Sequence, residues 1–418
     1  MRNFFVLLCC IVTLGAFAQK KKSSQTTPTP PAPAAIVATN AADRLAGYEK
    51  RKQLDAISLV NNVKFRSVGP TVMSGRVADI DVNNTDPTQF FVAYASGGLW
   101  KTENNGISFT PLFDNEAVMT LGDVAVDWKT GGKTIWVGTG ESISSRSSYS
   151  GVGMYKSEDG GKTWQHKGLS DSHHIGEIML HPTDANTVWV AALGHLYTPN
   201  RERGIFKTSD GGKTWKNTLY VDENTGAIDI QIDPTNPKVL YAAMWYKTRR
   251  AWNFEEGGKT SGIYKSTDGG DTWKLVSGPG SGFPQGDGNG RIGITVSPSN
   301  PNIVYATLDN QARRPEDPAE AQKNANKLTP AKLKALSKED FLKLDDTQLN
   351  EYLDEKRFPE KYTAKTVKDL VKTDKITVTG VVSYTESGDD DANLPPVVEC
   401  EVYRSDDAGT TWRRTHKD

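Results

Sequence analysis

"YKSTDGGDTW", residues 264–273, sets a basic residue, two hydroxyls, an acid, a Gly-Gly pair and a terminal tryptophan within ten positions. Taken alone, it has the ingredients of a phosphate cradle, a metal loop or a catalytic turn. Three further copies point elsewhere: "YKSEDGGKTW" at 155–164, "FKTSDGGKTW" at 206–215 and "YRSDDAGTTW" at 403–412. A degenerate copy, "WKTENNGISF" at 100–109, carries Asn104 in place of the acid and Phe109 in place of the tryptophan. The stretch is therefore one unit of a repeat. Its aromatic ends are spaced by 55, 51 and 58 residues, then by 139 across a long insertion.

Within each unit the order is constant. A short alternating strand ("RVADIDV", "DVAVD", "GEIML", "AIDIQI", "RIGITV") is followed by a turn and a second strand ("FFVAYA", "TIWVGT", "VWVAAL", "VLYAAM", "IVYATL"). A variable loop comes next, then the Asp-Gly-Gly hairpin. Four short strands per fifty-odd residues is the pattern of a β-propeller blade, so the fold class is all-β. The quoted stretch reads as the turn between third and fourth strands. Asp268 accepts backbone N–H groups of its own turn, Gly270 and its neighbour take positive φ, Thr272 adds a hydroxyl, and Trp273 packs between sheets. The same structural roles fall to Asp159, Gly161 and Trp164, to Asp210, Gly212 and Trp215, and to Asp407, Gly409 and Trp412.

The remainder of the chain frames these blades. Residues 1–18, with an apolar run from Phe4 to about Ala16 and a small-x-small end, read as a signal peptide, so an exported chain is expected, periplasmic, cell-surface or secreted. Beyond it Cys400 is the sole cysteine, which leaves no intrachain disulfide. Residues 19–60 begin with a Pro/Ser/Thr-rich tract expected to act as a linker, followed by a short N-terminal segment. Blades are expected over 61–312, a largely helical insertion over 313–398, and the last hairpin over 399–418. Thr329 with Pro330 and Ser337 with Asp340 mark helix starts, Ala364–Lys372 reads as a helix, and "KITVTGVVSY" reads as a strand. Five units are visible and the chain stops six residues after Trp412, so the expectation is a partial propeller.

The phrase S/T-x-D-x-G-x-T-W at blade spacing resembles the Asp-box, or BNR, repeat of sialidases, sortilin-type propellers and two-propeller xyloglucanases. The longer phrases "RSVGPTVMSGRVADI", "ASGGLWKTENNG" and "RGIFKTSDGGKTW" resemble more narrowly the exported sortilin-like proteins of bacteria, often labelled "glycosyl hydrolase". The resemblance implies a module that binds a protein or a glycan; the alternatives are a glycoside hydrolase and a scaffold of the cell envelope. Xyloglucanases of this class place a catalytic Asp just before a Gly pair, where this chain has Ser96 in "AYASGG". Sialidases need an arginine triad, and "FRSVGP" shares only Phe65 and Arg66 with their motif. No catalytic residue carries over.

Formal net charge is -1 with 24% charged residues, which gives no bulk attraction to nucleic acid or to an anionic membrane. The turn face is short and repetitive, whereas the opposite face carries the irregular loops, where function collects. Those loops supply Glu141, Arg146, His195, Tyr197 and Arg201, and further along Trp245, Arg249, Arg250 and Trp252. Aromatic faces beside guanidinium and carboxylate groups suit sugars, acidic ligands or peptide carboxylates. On the inner strands Asp79, Asp123, Glu177 and Asp229 occupy one repeat position, with Gly293 breaking the series; with Glu141 they are the weak catalytic candidates. The alternative role is a structural acid bonded to backbone or to the next blade. No cofactor motif and no metal set is expected: His173, His174 and His181 sit close in sequence, but on a strand the adjacent pair would point apart, and "GDDDANL" at 388–394 lacks the later ligands of a calcium loop.

Overall fold

The computed structural model describes residues 37–63, 75–145, 147–250, 253–314, 327–385 and 397–416. The signal-peptide reading of 1–18, most of the linker, Phe65, Arg66, Arg146, Trp252 and the 388–394 acids lie outside them. Among the described residues the strands form five four-stranded antiparallel sheets, each in simple meander order. These are the blades of the β-propeller. Their first strands, Val77–Val82, Leu121–Asp127, Ile175–Leu180, Thr225–Asp233 and Asn289–Val296, lie against one another in succession.

The core lies between blades because each sheet has two faces to bury and only neighbouring sheets to bury them against. Ala125, Trp136 and Met154 of the second blade meet Ile178, Val190 and Phe206 of the third in one cluster. The hairpin tryptophans extend this packing. Trp215 meets Trp136 edge-on at 6.2 Å and donates its Nε1–H to Lys167 O at 2.6 Å. Trp164 meets Phe113 at 5.0 Å and donates to Leu112 O at 2.8 Å. Each of the two reaches back to the preceding blade.

The repeated turn is a closed hydrogen-bond circuit. Asp268 Oδ1 accepts the N–H groups of Asp271 and Thr272 at 3.1 and 3.0 Å, and its Oδ2 accepts the Thr272 hydroxyl at 2.6 Å. Ser266 Oγ accepts the Gly270 N–H at 2.9 Å and donates to Asp268 at 2.8 Å. Gly269 and Gly270 stand at φ +77 and +81, and Gly269 N–H bonds to Lys238 O of the first-to-second turn at 2.8 Å. The equivalent bonds Asn105–Thr88, Gly160–Lys133, Gly211–Asn186 and Ala408–Asn302 put both sets of turns on one face in every blade. Asn104 serves as the acid of the degenerate copy: its Oδ1 accepts Ser108 N–H at 2.9 Å, while its amide donates to Ser108 Oγ.

The hydroxyl and backbone N–H of Thr163 hold the Asp159 carboxyl down to about 2. A carboxyl with a depressed folded-state value adds stability that is present above its unfolded value, about 4. That stability is lost as pH falls through about 2. Removing one arm of a turn is a smaller perturbation. Thr272→Val deletes the hydroxyl donor alone, and a urea unfolding free energy lowered by roughly 0.5–1.5 kcal/mol is expected; no change would show that this arm adds nothing to the hairpin.

Two regions depart from the sequence expectation. Ala41–Ala56 is a helix, N-capped by Asn40, whose side chain accepts Ala42 N–H at 2.8 Å. It has no buried residue and so no apolar stripe to read. It docks mainly through polar side chains, Arg44 to Ser170 O at 2.9 Å, Tyr48 to Glu116 Oε2 at 3.1 Å and Arg51 to Asn115 O at 2.6 Å, with Leu45 half-buried against the core of blades one and two. Among its described residues the insertion holds five short helices, Pro330–Lys334, Lys338–Leu342, Asp346–Glu355, Ala364–Lys372 and Val378–Thr385. The last corrects the strand expected at "KITVTGVVSY". Val378, Val381 and Val382, spaced as one helical face, bury against Leu333, Phe341 and Val371 in a core of the insertion's own. That burial outweighs the strand preference of β-branched residues.

Candidate functional site

The inner-strand acids have a common local cause. Each first strand of blades one to four carries a bulge just before its acid, between Val77 and Asp79, Leu121 and Asp123, Ile175 and Glu177, and Ala227 and Asp229. A bulge re-aims the following side chain. Here it aims three aspartates at the backbone of the next blade. Asp79 Oδ2 accepts Val124 N–H at 3.3 Å, Asp123 Oδ2 accepts Ile178 N–H at 2.7 Å, and Asp229 Oδ2 accepts Ile294 N–H at 2.7 Å. Each accepted N–H belongs to the residue after the next blade's own repeat position. Asp81 repeats the device one step along, accepting Val126 N–H at 2.7 Å and Trp128 Nε1–H at 2.6 Å.

Glu177 departs from this ladder. One methylene longer than aspartate, it has no hydrogen-bond partner among the described residues and lines a cavity of ≈ 300 Å³. Ser142, Asp229, Arg291, Thr307 and Asp309 share the wall, and the exposed Cys400 stands there too. Ser142 belongs to the loop after the second strand of blade two, so the cavity lies toward the elaborated face. Burial, with Asp229 and Asp79 beside it, pushes the Glu177 carboxyl well above the carboxylate range. Burial raises Asp123 in the same direction, with Glu177 and Asp79 adding repulsion and a proton shared with Asp79.

Raised acids have the opposite pH sign to the turn acids. Stability from Asp123 is full below its unfolded value, about 4, and is lost as pH rises through the higher folded value. Asp123→Asn keeps an acceptor for Ile178 N–H and a donor for Asp79. Urea midpoints from pH 5 to 8 are expected to fall less steeply in this variant than in the parent protein; equal slopes would mean that Asp123 titrates normally.

The loop candidates separate into three groups. Glu141 is 1% exposed and fully engaged: Arg76 Nε donates to its Oε1 at 2.6 Å, Ser148 Oγ to its Oε2 at 2.8 Å, and its carbonyl meets His174 Nδ1 at 2.7 Å. Trp245 is equally buried, with its Nε1–H on Glu256 O at 2.7 Å and Arg291 stacked over its ring at 4.6 Å. Both hold the loops in place and offer no open face. Arg249 covers Phe254 at 4.2 Å in a short hairpin beside Arg250, whose N–H bonds to Asn253 O. Tyr197 and Arg201 are exposed, as is Tyr149, a residue the sequence reading passed over because a lone tyrosine among serines carries no pattern.

His195 is buried and stands against two residues of another loop. Its ring stacks on His173 at 3.7 Å, and its Nε2 lies 3.1 Å from Asp171 Oδ1. Arg203, 2% exposed, closes the loop by donating to Leu193 O at 2.6 Å, His195 O at 2.7 Å and Thr198 O at 3.1 Å. Arg291, Arg203 and Asp171 are candidate residues that sequence reasoning did not single out. Arg203 and Asp171 lie in loops outside the repeat pattern and Arg291 opens the repeat strand "RIGITV", and only the fold brings each to its partners.

A family model described as Sortilin-Vps10 (sortilin, neurotensin receptor 3) matches residues 153–395, more than half of the chain. A xyloglucanase of Hypocrea jecorina (strain QM6a) is 25% identical over 194 residues, which is 45% of this chain and 20% of the relative. The chain thus spans about a fifth of the length of the curated relative it matches. Among solved structures, the Niastella koreensis GH74 enzyme is 23% identical, with a TM-score of 0.41 over 56% of this chain and 35% of that one. YCF48 from Cyanidioschyzon merolae is 14% identical, with a TM-score of 0.37 over 82% of this chain and 86% of that one.

Proposed function

Because this chain belongs to the Sortilin-Vps10 family, we propose that it is an exported binding module that holds a protein or glycan chain at its elaborated face without turning it over. The release of Glu177 from the inner-strand ladder carries this reading. Of the four acids at that repeat position, three are tied to the backbone of the next blade, whereas Glu177, which shares the cavity wall with Asp229, makes no such bond. A hydrolase needs two working carboxyl groups, one as acid and one as base or nucleophile. A binding seat needs only convergent polar groups, and Glu177, Arg291, Ser142 and Thr307 supply a carboxyl, a guanidinium and two hydroxyls. Export rests on the signal-like residues 1–18. Among the described residues no helix is long and apolar enough to cross a membrane.

The glycoside hydrolase reading has two supports. One is the likeness to a xyloglucanase. The other is the raised Glu177 carboxyl, which lines one cavity with Asp309. Calorimetric titration with xyloglucan oligosaccharides and with a panel of short peptides separates the readings. Saturable binding to one class, weakened by Thr307→Val, supports the module. Silence toward both classes overturns it in favour of a cell-envelope scaffold.

A further inference from the structure

We propose that Asp171, His173 and His195 form a binding site for one divalent transition-metal ion of the zinc type. The site joins two loops that are distant in the repeat. Asp171 and His173 come from the connection between blades two and three, and His195 from the loop after the second strand of blade three. His195 Nε2 lies 3.1 Å and His173 Nε2 3.8 Å from Asp171 Oδ1, and the three ligand atoms fall within 4.8 Å of one another. Zinc holds nitrogen and oxygen ligands at about 2.0–2.2 Å, which sets two tetrahedral ligand atoms about 3.3 Å apart. A shared ion also needs the two imidazoles, now stacked at 3.7 Å, to turn so that both Nε2 lone pairs converge on it.

The second indication is chemical. His173 and His195 are 8% and 6% exposed, and neither Nε2 has a hydrogen-bond partner among the described residues. The 3.1 Å approach of His195 to Asp171 is close without being aligned for a hydrogen bond. Buried polar nitrogens are normally satisfied. Two such nitrogens beside one carboxylate oxygen are satisfied together by a cation. The outer contacts suit ligation: Thr198 Oγ1 meets His195 Nδ1 at 2.7 Å, which leaves Nε2 for the metal. Asn200 Nδ2 donates to Asp171 O at 2.8 Å, and Asp171 N–H donates to the Glu202 carboxylate at 2.8 Å. Arg44 and Arg203 are the nearby cations, and both donate to backbone carbonyls. Asp171 is partly exposed, so a fourth position opens to water, as in three-ligand zinc sites.

His173 stands at φ +58, a conformation that asparagine tolerates, so His173→Asn removes the imidazole without forcing the backbone. Asp171→Asn alters only a partly exposed oxygen and keeps the test valid if a histidine variant fails to fold. Full-length protein stripped with chelator is titrated with Co²⁺, read by its visible d–d absorption, and melted with and without Zn²⁺. The expected result is one equivalent of Co²⁺ bound and a higher Tm with Zn²⁺. Both effects should weaken at least about tenfold in Asp171→Asn and His173→Asn, and persist in His181→Asn. No stoichiometric binding, or binding undiminished in Asp171→Asn, overturns the proposal.

Discussion

Arg203→Ala is expected to cost roughly 3–5 kcal/mol, on the basis of about 1–3 kcal/mol for each buried acceptor left without a donor. The guanidinium reaches the carbonyls of Leu193, His195 and Thr198, with a longer bond to Asn224 O at 3.4 Å. No neighbouring side chain can replace a planar fork of donors at that depth. Water entering the space would recover part of the loss, which keeps the cost below the sum of the individual bonds. Arg203→Lys offers one donor centre to carbonyls that the fork reaches from two nitrogens, so an intermediate loss follows. Urea unfolding of the three proteins checks this order, and limited proteolysis should find the 194–204 loop cut first in Arg203→Ala. Equal midpoints for all three would show that the loop closes without its arginine.

Glu177→Gln should do two things that a structural acid would not do together. Binding of the ligand found by titration should weaken by roughly 2- to 12-fold, the loss of about one neutral hydrogen bond at 0.5–1.5 kcal/mol. Stability at pH 8 should rise, because the folded-state carboxyl sits well above its normal range and its ionisation works against the fold. At pH 4, where parent and variant are both uncharged in the folded state, the difference should close. Thermal melts at the two pH values and one calorimetric titration read all of this. A variant less stable at pH 8 would place Glu177 in the ladder with Asp79 and Asp229. Such opposition between stability and function is common where a site is held against its own electrostatics.

The blades were legible because their signals are local and repeated. The Asp-Gly-Gly turn needs its acid, its positive-φ glycines and its hydroxyl at fixed offsets, so sequence identity and hydrogen-bond role coincide at Asp268, Gly270 and Thr272. The N-terminal helix was not legible, since it docks through Arg44, Tyr48 and Arg51 and buries no stripe. Val378–Thr385 misled for the reverse reason: its β-branched residues favour a strand in isolation, and only the insertion core selects the helix. The candidate site was partly legible. Alignment of the repeats placed Asp79, Asp123, Glu177 and Asp229 on one ring, but the separation of Glu177 from its counterparts depends on one methylene and on where the next blade's N–H groups lie. Glu141 and Trp245 stood out by residue type and lie buried. Asp171 stood out by nothing in sequence and meets two histidines only through the packing of blade two against blade three.

The most direct test of binding without turnover is a single incubation of the mature protein with end-labelled xyloglucan oligosaccharides and with the peptide ligands, reading retained ligand and newly formed ends in the same sample. The proposed function predicts retained ligand of unchanged length, with retention reduced in Glu177→Gln. New reducing ends that form with the parent protein and disappear in Glu177→Gln would contradict it and establish the hydrolase.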